Sequence, residues 1–271
     1  MTAVITWRRT VPDGTEIVTR QWDVTGEPRS SIVLVHGLGE HSGRYDHVAE
    51  ALGARGHRVG ASDLRGFGES GGRRAWIRRW DDYLDDLAGD VEGARAVGLP
   101  VVLLGHSLGG LVAASYALSD RPAPDLLVLS SPALDADFPL IKKLMARAFG
   151  VILPRASVAN DIEGHYLSRD PAVGEAYFAD PLVYTRTTLR LGRLGLLAGA
   201  RTRARIGDLT IPTLVIHGSH DPLVPPAISR PLQALDVVER IELDGHRHEC
   251  FNEEGGVEAI ETVASWIERL I

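Results

Sequence analysis

Short apolar runs rich in Val, Ile and Leu recur along the chain, separated by longer stretches whose apolar positions fall three or four apart. The short runs predict strands at Ile5 to Val11, Glu16 to Trp22, Ile32 to Val35, Arg58 to Ala61, Val101 to Leu104, Leu126 to Leu129, Thr213 to Ile216 and Glu239 to Leu243. The longer stretches predict helices at Tyr45 to Gly56, Trp80 to Val97, Leu108 to Leu118, Ala227 to Leu235 and Val257 to Leu270. Alternation of this kind implies an α/β fold, a mostly parallel eight-stranded sheet with helices on both faces. The first two strands, close together and partly polar, predict an edge hairpin.

From Leu134 to Arg205 the rhythm changes. Phe138, Ile141, Leu144, Met145, Ala148, Phe149 and Ile152 are spaced by three and four, so a helix from Phe138 to Leu153 is predicted, closed by Pro154. Asp180-Pro181 marks a turn before a further helical run from Thr187 to Ala204. The expected organisation is therefore a core of residues 1–133 and 206–271 with a helical cap, 134–205, inserted between two strands. The apolar stripe of the cap helix nominates Ile141, Met145 and Phe149 as a roof over an acyl chain. Lys142, Lys143 and Arg147 form an opposing basic face that points to transient contact with anionic lipid surfaces.

The 271 residues carry a net charge of −7, and lysine occurs only at Lys142 and Lys143. No basic stretch offers the phosphate-neutralising surface that nucleic acid requires. The single cysteine, Cys250, forms no internal disulfide, and Met1 to Arg9 lack the apolar core of a signal peptide, so a cytoplasmic protein is expected. Nothing in the sequence implies a stable protein partner.

Gly105-His106-Ser107-Leu108-Gly109 follows the apolar run Val101 to Leu104 and opens a helix of small residues, which is the setting of a nucleophile elbow. A serine there needs a base, and the base a carboxylate to orient it. Asp221 follows the strand Thr213 to Ile216, in a loop stiffened by Pro222 and Pro225, and is the expected acid. After the last strand, His246 and His248 both stand as candidates for the base. Their His-x-His spacing also permits metal binding, but no nearby carboxylate or cysteine set completes a zinc site. No metal and no cofactor is expected. The turn His36-Gly37-Leu38-Gly39 places backbone N–H groups beside Ser107, so the amides of Leu38 and Leu108 are the expected oxyanion donors.

On these residues the sequence resembles the α/β-hydrolase superfamily and, within it, the bacterial monoacylglycerol lipase and lysophospholipase group. His36-Gly37-Leu38-Gly39-Glu40-His41-Ser42-Gly43-Arg44-Tyr45 is similar to that group's oxyanion loop. Leu167-Ser168-Arg169-Asp170 and Asp180-Pro181-Leu182 resemble its cap, and Gly245-His246-Arg247-His248-Glu249 its histidine loop. The resemblance implies that His248, directly before the glutamate, is the base. It also implies a serine esterase acting through an acyl-enzyme on a small-molecule lipid ester, most simply a monoacylglycerol. A segment that departs from the group, Asp63-Leu64-Arg65-Gly66-Phe67-Gly68-Glu69-Ser70, is closer to general esterases and peptidases. A broad carboxylesterase, a lysophospholipase or a serine peptidase, with Glu163 or Glu175 receiving a peptide terminus, are the alternatives. A ligand-binding receptor of the same fold is the non-enzymatic one.

Overall fold

A computed structural model describes residues 4–24, 26–135, 144 and 148–271. The strands of the main sheet are β1 (Val4–Thr10), β2 (Glu16–Trp22), β3 (Ser30–Val35), β4 (His57–Ser62), β5 (Val101–His106), β6 (Leu126–Ser130), β9 (Thr213–Gly218) and β10 (Val238–Leu243). Their order is β1-β2-β4-β3-β5-β6-β9-β10. β1 and β2 form an antiparallel hairpin, β2 runs antiparallel to β4, and every other pairing is parallel. All eight predicted strands are thus present.

The central strands β3, β5, β6 and β9 are buried along their whole length, as continuous apolar runs demand when helices cover both faces. On one face lie α1 (Asp46–Ala54) and α7 (Gly256–Glu268), enclosing Trp22, Leu52, Leu104, Ile216 and Trp266. On the other lie α2 (Asp81–Arg95) and α3 (Leu108–Ala117), packed on Val33, Leu103, Leu127 and Val215.

Two expectations need correction. The run Ala227 to Leu235 forms two 3-10 turns, Pro226–Ile228 and Arg230–Ala234, in place of an α-helix. Pro231 has no N–H to donate inside the predicted span, which breaks the ladder there. The segment between β6 and β9 is not purely helical either. It pairs β7 (Ser157–Ala159) with β8 (Arg186–Thr188), and carries α4 (Gly164–Leu167), α5 (Pro171–Ala179) and α6 (Leu189–Ala204). α6 starts two residues later than predicted because the Thr188 side chain accepts from Leu191 N and caps it. Most of the predicted helix from Phe138 to Leu153, with Ile141 and Met145, lies outside the described residues.

α6 packs across α3, joined by a 2.9 Å hydrogen bond between Ser115 and Thr202. Arg190 Nε donates to Ile77 O at 2.9 Å and Thr188 Oγ1 to Ala75 O at 2.5 Å. These bonds fasten the inserted segment to the loop before α2.

Candidate active site

β5 ends at His106 and α3 begins at Leu108, so one residue makes the turn between them. That residue, Ser107, has φ 54° and ψ −117°, a strained conformation that persists only where the surroundings impose it. The surroundings are the flanking glycines. A Cβ on Gly105 would strike the Gly109 carbonyl, and one on Gly109 would strike the Val35 carbonyl. Backbone contact between β3, β5 and α3 therefore forces the serine into its corner.

Ser107 Oγ is 2.9 Å from His248 Nε2, and His248 Nδ1 is 2.7 Å from Asp221 Oδ2. Asp221 is held by the amides of Leu223 and Val224, each donating to Oδ1 at 2.9 Å. Burial opposes its ionisation, yet the facing His248 and the nearby His217 ring keep the carboxyl far below the usual carboxylate range. Burial alone would lower the His248 pKa; the charge of Asp221 and their hydrogen bond outweigh it, and the pKa stands above the ordinary 6.5.

The structure thus brings together the three residues proposed from sequence. It places His246 elsewhere, buried, with its ring against Gly255.

The loop of Leu38 passes directly beside the serine, since a Cβ on Gly37 would lie 3.3 Å from Ser107 Cβ. Leu108 is the first residue of α3, so its N–H has no acceptor within the helix. Gly39 adopts φ +82°, and its carbonyl accepts from Tyr184 N at 2.7 Å, pinning the turn against the inserted segment.

Sequence reasoning assigns no role to four residues that hold this site. Glu40 Oε1 accepts from Gly37 N at 2.6 Å and from the Tyr45 hydroxyl at 2.7 Å. Burial opposes the charge on Glu40, but Arg44 holds its carboxyl at about 2. Arg44 spans from Glu40 to Glu249, which it grips with both terminal nitrogens at 2.7 and 2.9 Å. His217 Nε2 donates to Val224 O at 2.7 Å and lies 3.3 Å from Asp221 Oδ2, while Ser229 Oγ sits 2.8 Å from its Nδ1. His106, its ring tilted 54° to that of His248 with centroids 4.8 Å apart, is held down at about 3 by its burial and by His248, and stays neutral.

The two motifs of the inserted segment meet these loops. Glu249 N donates to Leu167 O at 2.9 Å, Ser168 Oγ to Asn252 O at 3.2 Å, and Arg169 N to Glu253 Oε1 at 3.1 Å. His41 Nε2 donates to Asp180 Oδ2 at 2.8 Å. Phe149 is 40% exposed and lies in a surface stretch with Val151, Ile152 and Leu153. A phenylalanine roofing a closed tunnel would be buried, so this part of the segment meets solvent instead. Glu163 and Glu175 are both exposed.

A mostly parallel sheet of this order, with a serine at a strained strand-to-helix turn facing a histidine and an aspartate, defines a serine hydrolase of the α/β-hydrolase class. The chain belongs to the Hydrolase_4 family, described as serine aminopeptidase, S33, whose sequence profile matches residues 26–255. It is 36% identical over 263 residues to a monoacylglycerol lipase of Mycolicibacterium smegmatis, covering 94% of this chain and 93% of that one. It is 35% identical to the human monoglyceride lipase, covering 78% and 71% of the two chains. Among solved structures it is similar to a monoacylglycerol lipase of Paleococcus ferrophilus, with a TM-score of 0.85, 31% identity and coverage of 94% and 99%. No helix of the described residues is long and apolar enough to cross a membrane.

Proposed function

We propose that the protein hydrolyses single-chain carboxylic esters, monoacylglycerol foremost, to an alcohol and a fatty acid. The observation that supports this most is the continuous line from Asp221 through His248 to Ser107, with links of 2.7 and 2.9 Å. In this reading Ser107 Oγ attacks the ester carbonyl carbon as His248 Nε2 takes its proton, and the Leu38 and Leu108 amides receive the charge on the carbonyl oxygen. Collapse of the tetrahedral intermediate breaks the C–O bond, and His248 returns the proton to the departing glycerol oxygen. Water, activated by His248, then releases the acid from Ser107.

Residues 1–133 and 206–271 form the catalytic core in this proposal, and 134–205 act as its cap. The names of the relatives support a lipid ester over a peptide. Glu163 and Glu175, exposed on the cap, are poorly placed to receive a peptide terminus. The apolar surface stretch from Phe149 to Leu153 suits an enzyme that meets its substrate at a lipid surface.

The test is labelling by a fluorophosphonate together with turnover of monoacylglycerol, triacylglycerol, lysophospholipid and an aminoacyl anilide. Stoichiometric labelling of Ser107 and fastest turnover of monoacylglycerol support the reading. Labelling without turnover of any ester would favour a receptor, and fastest turnover of the anilide would favour a peptidase.

A further inference from the structure

On the sheet face covered by α2 lies a cleft of about 300 Å³, lined by Arg9 of β1, Ser31 of β3, Arg58 and Gly60 of β4, and Asp90 and Gly93 of α2. It is remote from Ser107. Ser31 pairs with Val101, the first residue of β5, whereas Ser107 follows the last, which separates them by roughly 20 Å along the strand.

Its polar groups are incompletely matched. Ser31 Oγ is buried, in a residue only 2% exposed, and has no hydrogen-bond partner among the described residues. Arg9 donates through one terminal nitrogen to Asp86 O at 2.7 Å and Asp90 Oδ1 at 2.9 Å, but its Nε is buried and unpartnered. Arg58 makes no ion pair among the described residues. Buried donors without acceptors are costly, so such groups point to an acceptor that completes them. The lining carries two cations against the single carboxylate of Asp90, an excess of one positive charge. One further negative charge balances it, while a dianion would be repelled by Asp90. Val33 and Ala94 supply apolar walls. On the α2 side a Cβ at Gly93 would touch nothing within 4 Å, although glycine in a helix interior is unfavourable.

We propose that this cleft is a second ligand site, selective for a small monocarboxylate with an apolar body, its carboxylate received by Arg58, Arg9 Nε and Ser31. The fatty acid released in the reaction proposed above belongs to that class, but the site does not depend on that reaction.

The experiment is calorimetric titration of octanoate into protein whose Ser107 has been blocked with fluorophosphonate, and into untreated protein. Saturable one-to-one binding to the blocked protein is expected, at least tenfold weaker in Arg58→Gln and abolished in Gly93→Leu, with ester turnover of both untreated variants unchanged. Octanol, with the same chain and no charge, should bind at least tenfold more weakly. Absence of saturable binding to blocked protein, equal binding of octanol, or binding unaffected by Arg58→Gln overturns the proposal. If Gly93→Leu does not fold, Arg58→Gln decides alone, because Arg58 is partly exposed and makes no ion pair among the described residues. Failure of the functional reading shows separately, as missing label on Ser107.

Discussion

Arg44 grips Glu249, the neighbour of His248, through two parallel hydrogen bonds of 2.7 and 2.9 Å while the same guanidinium holds Glu40 beside the Leu38 turn. All three side chains are nearly buried, Arg44 at 11% exposure and the acids at 4% and 5%. Replacing Arg44 by Met leaves two carboxylates buried without their counter-charge, which costs on the order of 3–5 kcal/mol. The melting temperature should fall by roughly 10 °C, and Arg44→Lys, which keeps the charge but loses the fork, should fall between. A melting temperature within 2 °C of wild type in Arg44→Met would show that the clamp adds nothing.

The acid limb of the activity profile should have its midpoint above pH 6.5. His248 must be neutral to accept a proton, and its pKa stands above 6.5 because Asp221 stabilises the charged ring. In Asp221→Asn that stabilisation is gone while burial still disfavours the charge, so the residual limb should move to lower pH as turnover drops by about 10⁴. A limb at unchanged pH in Asp221→Asn refutes this origin.

His217→Ala should lower kcat by about 10-fold, the effect of losing the ring that ties down the Val224 carbonyl and faces Asp221 Oδ2 at 3.3 Å, and leave KM nearly unchanged. Its acid limb should stay above pH 6.5, because Asp221, with its carboxyl far below the usual range, remains ionised and still stabilises the charged His248 ring. Equal kcat with a raised KM would assign His217 to substrate binding.

Cys250 should resist maleimide in the folded protein and react only on denaturation. Burial pushes the thiol up to about 12, and the residue is 0% exposed. Cys250→Ala should retain turnover; a dead but folded Cys250→Ala variant would give the thiol a role in the chemistry.

The double change Ile152→Glu with Leu153→Glu should slow hydrolysis of emulsified monoacylglycerol while sparing a soluble short-chain ester. Ile152 is 70% and Leu153 52% exposed, so neither is needed for packing. Equal rates on the emulsion would separate this surface from lipid contact.

The central strands were legible because they are apolar on both faces and bounded by glycine or proline, and Ser107 and Asp221 because each follows such a strand. The choice of His248 over His246 was legible only by resemblance; local sequence treats the two alike, and their difference lies in which one the β10 loop carries to Asp221. The helix expected at Ala227 to Leu235 failed where Pro231 breaks a periodic apolar pattern. Glu40, Arg44 and Glu249 were missed because their partnership joins positions 205 residues apart, and no local pattern encodes that distance. The β7–β8 pair was missed because three-residue strands leave no readable period.

The stitching of Leu167 to Glu249 and of Ser168 to Asn252 has a consequence for anyone grafting a foreign lid onto this scaffold. A transplant cut at the two ends of the insertion would carry away the Leu167 carbonyl acceptor and the Ser168 hydroxyl donor on which the base's own loop rests, so a change meant to alter chain-length preference would also loosen His248. The natural unit of exchange is smaller than the insertion. It leaves Tyr166 to Asp170 in place with the core, and chimeras that keep those five residues should retain turnover where full-length swaps do not.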